Sequence, residues 1–134
     1  MADVYKTLGQ GLVTTSWTTL YNVPYPSEVQ VGGGSGPIVT PESVVLPKQT
    51  LVTSVIVCNY ALVDYFYLSL EGTDDGEDPG DPAPINYLFY HNKVFADGSL
   101  VLSLGLTLVP GDYLKMKADT VDTLTITAMG IETT

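Results

Sequence analysis

Apolar and polar residues alternate with a period of two in several short stretches of this chain. From Leu62 to Glu71, the residues Asp64, Phe66, Leu68 and Leu70 fall on one side of an extended backbone, with Tyr65, Tyr67, Ser69 and Glu71 on the other. The second set is aromatic but polar-tipped, as on a sheet surface that is partly wet or meets a partner. Near the C-terminus, Leu124, Ile126 and Ala128 alternate with Thr123, Thr125 and Thr127, a threonine ladder suited to the exposed face of an antiparallel sheet. The same reading predicts strands near 3–8, 16–23, 50–59, 62–71, 85–94, 99–104, 112–118 and 122–132, and no helix.

Turn signals separate these stretches at short intervals: Asn59-Tyr60, Asp97-Gly98, Pro110-Gly111-Asp112 and Asp119-Thr120. Each supplies a residue that tolerates left-handed backbone or has its φ fixed by proline. Short strands with turns about every ten residues predict an all-β chain, an antiparallel β-sandwich of jelly-roll or immunoglobulin-like type. With 134 residues, 45% of them hydrophobic, the chain reads as a single sandwich domain over 1–134 that needs neither disulfide nor metal to hold its core.

Two connections are longer than plain loops. Segment 24–47 holds Pro24, Pro26, Gly32-Gly33-Gly34, Gly36-Pro37, Pro41 and Pro47, yet keeps the apolar pieces Val29-Gln30-Val31 and Val44-Val45-Leu46. A compact domain seldom carries more than about twenty structureless residues without a use, so this segment is expected to be an arm or extended hairpin ordered by a neighbouring subunit. The second connection, Gly72 to Pro82, is an acidic excursion between two strands.

Charge narrows the choice of partner. Five lysines, no arginine and fifteen acidic residues give a formal charge of -10. Phosphate binding needs clustered cations that release counterions, and bidentate base reading relies on guanidinium, so no nucleic-acid partner is expected. No stretch is apolar for long enough to span a bilayer, an anionic membrane would repel the chain, and the N-terminus carries no basic-then-apolar leader. Cys58, the sole cysteine, lies in the apolar run Ser54–Cys58 and reads as a small buried hydrophobe in a reducing compartment.

Candidate chemistry is sparse. Asp74, Asp75, Glu77, Asp78 and Asp81 crowd hard-cation ligands into the acidic excursion, but any calcium register beginning at Asp74 puts Pro79 where an EF-hand needs glycine, so a solvated turn is the reading. His91, the only histidine, lacks the partners a nucleophile or a metal would require and is expected on a sheet surface. Asp64 is in phase with Phe66 and Leu68; its place at the head of a strand predicts a side chain bent into solvent, and no second acid is set against it for glycoside chemistry. The glycines at 32–36 lack the Lys-Ser/Thr ending of a phosphate cradle. Trp17 and Tyr21 share a strand face; core packing is the first expectation for Trp17, and a sugar-stacking platform the alternative. No enzymatic activity and no cofactor are expected.

The blocks Asp3–Gln10, Thr18–Pro24 and Thr53–Asn59, with Leu104–Asp112 and Ile126–Glu132 later in the chain, resemble a group of small virion proteins of tailed bacteriophages. That resemblance implies a β-sandwich on the outside of a phage particle, a capsid decoration or cement protein synthesised in the bacterial cytoplasm. Its implied partners are the major capsid protein and copies of itself, as a homotrimer or homodimer. Segment 24–47 is expanded relative to the similar proteins. The alternative is a tail, neck or head-fibre module for host attachment or carbohydrate binding. The residues expected at an interface are Tyr25, Val29, Val31, Ile38 and Val39 of segment 24–47, and Val4, Tyr5 and Leu8 of a terminal strand able to extend a neighbour's sheet.

Overall fold

The computed structural model describes residues 4–24, 49–72 and 78–133. Eight strands account for nearly all regular structure among them: β1 Val4–Leu12, β2 Thr18–Asn22, β3 Gln49–Asn59, β4 Asp64–Glu71, β5 Tyr87–Val94, β6 Ser99–Leu108, β7 Tyr113–Ala118 and β8 Leu124–Thr133. A single 3-10 turn, Pro84–Asn86, leads into β5. All eight expected strands are present. Two run further than the alternation suggested: β1 continues through Gly9 and Gly11, and β6 through Gly105.

The strands form two antiparallel four-stranded sheets, in the orders β1-β8-β3-β6 and β2-β7-β4-β5. Only the β4–β5 connection stays within one sheet; every other step along the chain changes sheet. An immunoglobulin sandwich keeps its first two strands together in one sheet. The order found here is that of an eight-stranded jelly roll, which settles the choice left open by the turn spacing.

Inward rows from both sheets merge into one apolar cluster, built around Val52, Val55 and Val57 of β3, Phe66 and Leu68 of β4, Leu114 of β7 and Leu124 and Ile126 of β8. Burying apolar area at about 25 cal/mol per Å2 is the main term holding the sheets together. Gly9 permits the closest backbone approach: a Cβ there would lie 2.1 Å from the Leu20 carbonyl oxygen. The β1 register shifts between Thr7 and Gly9, so this glycine sits in a bulge where β1 crosses β2.

The turns close with side chains chosen for the purpose. Buried Asn59 donates to the carbonyls of Leu62 and Val94 at 2.7 and 3.0 Å and accepts from the Ala61 N–H at 2.8 Å. Asp112 accepts from the Val109 N–H at 2.9 Å beside Gly111, whose φ is 94°. Asp64 corrects the expectation of a solvent-facing carboxylate, because it is buried. Its oxygens accept from the backbone N–H groups of Tyr65 and Thr120 and from the Thr123 hydroxyl, so it clamps the β7–β8 turn onto the head of β4. Three donors offset the desolvation of the carboxylate, which explains how the register holds through residue 64.

Candidate binding surface

The two outward faces of the sandwich differ sharply in chemistry. On the β2-β7-β4-β5 sheet, β4 points Tyr65, Tyr67, Ser69 and Glu71 outward, and β7 sets Lys117 and Lys115 beside Tyr67 and Ser69. Opposite Tyr67, β5 bulges: Phe66 pairs with Asn92 and Leu68 with Phe89, so Tyr90 and His91 together face the one residue between them. His91 takes φ 55°, a left-handed conformation that costs a non-glycine residue about 1–2 kcal/mol. The bulge thereby places two consecutive side chains on the same face, which regular alternation forbids.

The result is a continuous aromatic surface. Trp17 stacks on Tyr87 with centroids 5.6 Å apart, and Tyr87 stacks on Tyr90 at 5.1 Å. His91 lies flat on Tyr65 at 4.0 Å and 1°. Tyr67 stands between the two stacks, meeting Trp17 and Tyr90 edge-on at 6.2 and 5.0 Å. Its hydroxyl donates to Asp119 Oδ1 at 2.8 Å, and Asp119 Oδ2 faces His91 Nε2 at 3.4 Å. Burial, then the bond to Asp119, pushes the Tyr67 pKa well above its ordinary 10.0. Lys117 Nζ lies 4.8 Å over the Tyr67 ring and 5.6 Å over Trp17. Tyr90 is the outermost ring, 61% exposed.

Towards its other end this face is closed. Lys115 is buried and donates to Asp78 and to the Gly80 carbonyl, while Thr19 also reaches Asp78. Lys115, then the Gly80 N–H, holds the Asp78 carboxyl below its ordinary value. Asn86 donates to Glu71 Oε2 at 3.4 Å, whereas Glu71 Oε1 and Ser69 Oγ are buried without a hydrogen-bond partner among the described residues.

The outward face of the β1-β8-β3-β6 sheet carries no charge among the described residues. It is made of Tyr5, Thr7, Gln10 and Leu12 from β1; Thr125, Thr127, Met129 and Ile131 from β8; Leu51, Ser54, Ile56 and Cys58 from β3; and Ser99, Val101, Ser103 and Thr107 from β6. The only charged residues in these four strands, Lys6 and Glu132, follow the inward register and pair with each other at 2.7 Å. β6 is one of the two edge strands of this sheet, and its inward leucines, Leu100, Leu102, Leu104 and Leu106, are only partly buried.

Of the residues expected at an interface, Tyr5 is exposed on the uncharged face and Leu8 packs against the core. Val4 begins β1, which pairs with β8 of its own chain. Tyr25, Val29, Val31, Ile38 and Val39 lie outside the described residues, as do Asp74, Asp75 and Glu77 of the acidic excursion. Cys58 was expected to be buried and is exposed, because it falls on the outward phase of β3. Trp17 was expected in the core; it precedes β2 on the outer face and joins the aromatic stacks. Asp64 and His91 are not brought together, since the partners of Asp64 are the backbone N–H groups of Tyr65 and Thr120 and the Thr123 hydroxyl, while His91 meets Asp119. No group of three or more His, Cys, Asp or Glu able to hold a metal occurs among the described residues. No helix among them is long and apolar enough to cross a membrane.

The aromatic face was half legible in the alternation of Tyr65 and Tyr67. Tyr90 and His91 were missed as a pair because a bulge leaves no periodic trace. The uncharged face had a signal that went unread: no Asp, Glu or Lys occurs in 49–59 or 99–108. A scan against protein-family models and a search of curated proteins return no match to this chain.

Proposed function

We propose that this chain is a structural protein of a tailed-phage particle, a capsid decoration protein that binds the outer surface of the head and stabilises junctions between major capsid subunits. The observation that carries the reading is the charge-free outward face of the β1-β8-β3-β6 sheet on a chain whose formal charge is -10. Depletion of charge is what marks the core of a protein interface, since burying an unpaired charge costs several kcal/mol. The remaining surface stays acidic, which keeps the free chain soluble and suits basic patches on a shell. Jelly rolls recur in viral capsid proteins; that is an analogy of fold and adds only weight.

Symmetry supplies the strength in this reading. Each contact is modest, and many copies around a shell multiply it. The half-covered leucines along the β6 edge suit a contact between copies of the chain in a homodimer or homotrimer. Among the described residues His91 contacts three tyrosines and Asp119, an arrangement that suits a surface contact.

Co-sedimentation with purified heads tests this directly. Ile56→Glu puts a charge at the middle of the uncharged face and is expected to abolish binding while circular dichroism stays unchanged. Val121→Glu, in an exposed turn, should bind normally. Binding by Ile56→Glu at wild-type affinity overturns the assignment of this face.

A further inference from the structure

We propose that the aromatic face of the β2-β7-β4-β5 sheet is a carbohydrate site that takes a neutral hexose oligosaccharide, on the side of the sandwich opposite the uncharged face. Exposed aromatic rings bind either the apolar C–H face of a sugar, a cation, or another protein. The structure discriminates among these. Lys117 already occupies the cation position over Tyr67 and Trp17, so a quaternary ammonium ligand would meet a resident charge. An acidic polysaccharide would meet a formal charge of -10 on the whole chain, with the Asp119 carboxylate against Tyr67 and His91.

A protein partner is disfavoured by composition. The outward strand positions here are aromatic, lysine, histidine, hydroxyl, amide or carboxylate, and no aliphatic side chain stands among them; the exposed aliphatics nearest this sheet, Leu62, Val63 and Ile85, lie in the connections outside its strands. Rings ringed by hydroxyls, a carboxylate and an ammonium match a pyranose, which presents an apolar face bounded by donors and acceptors. Tyr90 is the open end of the Trp17-Tyr87-Tyr90 stack and is 61% exposed, so its outer ring face is available.

His91 is held at φ 55° inside a strand, and that bulge turns Tyr90 and His91 outward together. Local strain of this kind persists where the surrounding structure enforces it and gathers at functional sites. The bulge also sets the phase of the core, since Phe89 and Val94 lie five positions apart and both pack inward only because β5 carries the extra residue between them.

Trp17 is the sole tryptophan and belongs to the stack, so its fluorescence reads the site without a label. The free chain should be titrated with cellohexaose, maltohexaose and chitohexaose, three neutral hexasaccharides that differ in linkage and N-acetylation. At least one is expected to give a saturable change in Trp17 emission. Tyr90→Ala should weaken that binding by about tenfold, the size of one lost stacking contact of about 1.4 kcal/mol, with an unchanged thermal midpoint. Ile56→Glu, on the opposite face, should bind the sugar as the wild type does, which separates this site from the docking reading. No saturable change with any of the three sugars at millimolar concentration overturns the proposal. So does loss of head binding by Tyr90→Ala, which would make this face a protein contact.

Discussion

The Tyr67 hydroxyl donates to Asp119 across 2.8 Å and is buried while doing so, which ties the middle of β4 to the end of β7 beneath the aromatic stacks. A second tyrosine is held the same way: Tyr21 reaches Glu132 and Thr50 at the other end of the molecule. Burial first, and the neighbouring carboxylate second, raise both phenols far above 10.0. A raised folded-state pKa means that stability is present in full below the unfolded value of 10.0 and is lost as the pH climbs from there through the folded one. In a spectrophotometric titration Tyr21 and Tyr67 should therefore ionise only as the chain unfolds. Tyr67→Phe and Tyr21→Phe should each remove one of them from the late phase. Tyr67→Phe is expected to lose about 1.5–3 kcal/mol in urea unfolding, the range for a hydrogen bond to a charged group.

Acid should act on a different pair of groups. Burial alone would raise the Glu132 pKa, but the bonds from Lys6 and Tyr21 outweigh it and leave the carboxyl below 4.5; Asp78 lies below 3.8 through Lys115. Both are depressed, so their contribution is present above the unfolded values and is lost as the pH falls through the folded ones. The thermal midpoint should be flat from neutral pH down to about 5 and drop below 4.5. Glu132→Gln should lower the midpoint at neutral pH and flatten the acid slope. An unchanged slope would mean that the Lys6–Glu132 pair is too solvent-screened to count.

The lesson about legibility lies in the exceptions. Strand positions could be read because apolar alternation is a property of neighbouring residues, and the Asp97 and Gly111 turns because their local chemistry is self-contained. The extent of β1 past residue 8 could not be read, since the reason for Gly9 is the Leu20 carbonyl on a different strand. Asp64 misled because the donors that make its burial tolerable come from residues 120 and 123, more than fifty positions away. Cys58 and Trp17 show that an apolar residue in an apolar run still has to be assigned a face, and one position of phase decides between core and surface.

His91 offers a test of how much strain the platform stores. His91→Ala keeps the unfavourable left-handed backbone and loses the flat stack on Tyr65, so it should destabilise the chain by about 1–2 kcal/mol. His91→Gly loses the same stack but relieves the backbone. It should be about 1 kcal/mol more stable than the alanine variant, an order opposite to that expected in an ordinary strand. Urea midpoints of the two variants decide it. An alanine variant as stable as the glycine variant would mean that residue 91 relaxes to extended geometry and that the bulge is not enforced by its surroundings.

Segment 24–47 can be tested by chain geometry alone. β2 ends in one sheet and β3 begins in the other, two strands over. With sheets about 10 Å apart and strands about 4.8 Å apart, the gap to be bridged is about 14 Å. Removing residues 27–45 leaves six residues between Val23 and Gln49, which reach about 20 Å when extended. The shortened chain should therefore close the same two sheets, and the shorter loop should add about 1 kcal/mol of stability through reduced closure entropy. Its far-ultraviolet circular dichroism should match the parent, and its thermal midpoint should be equal or higher. Incorporation into particles is expected to fall if the segment is the arm that reaches a neighbour. A shortened chain that fails to fold would assign the segment to the core, and one that folds and binds heads unchanged would leave the uncharged face as the sole attachment.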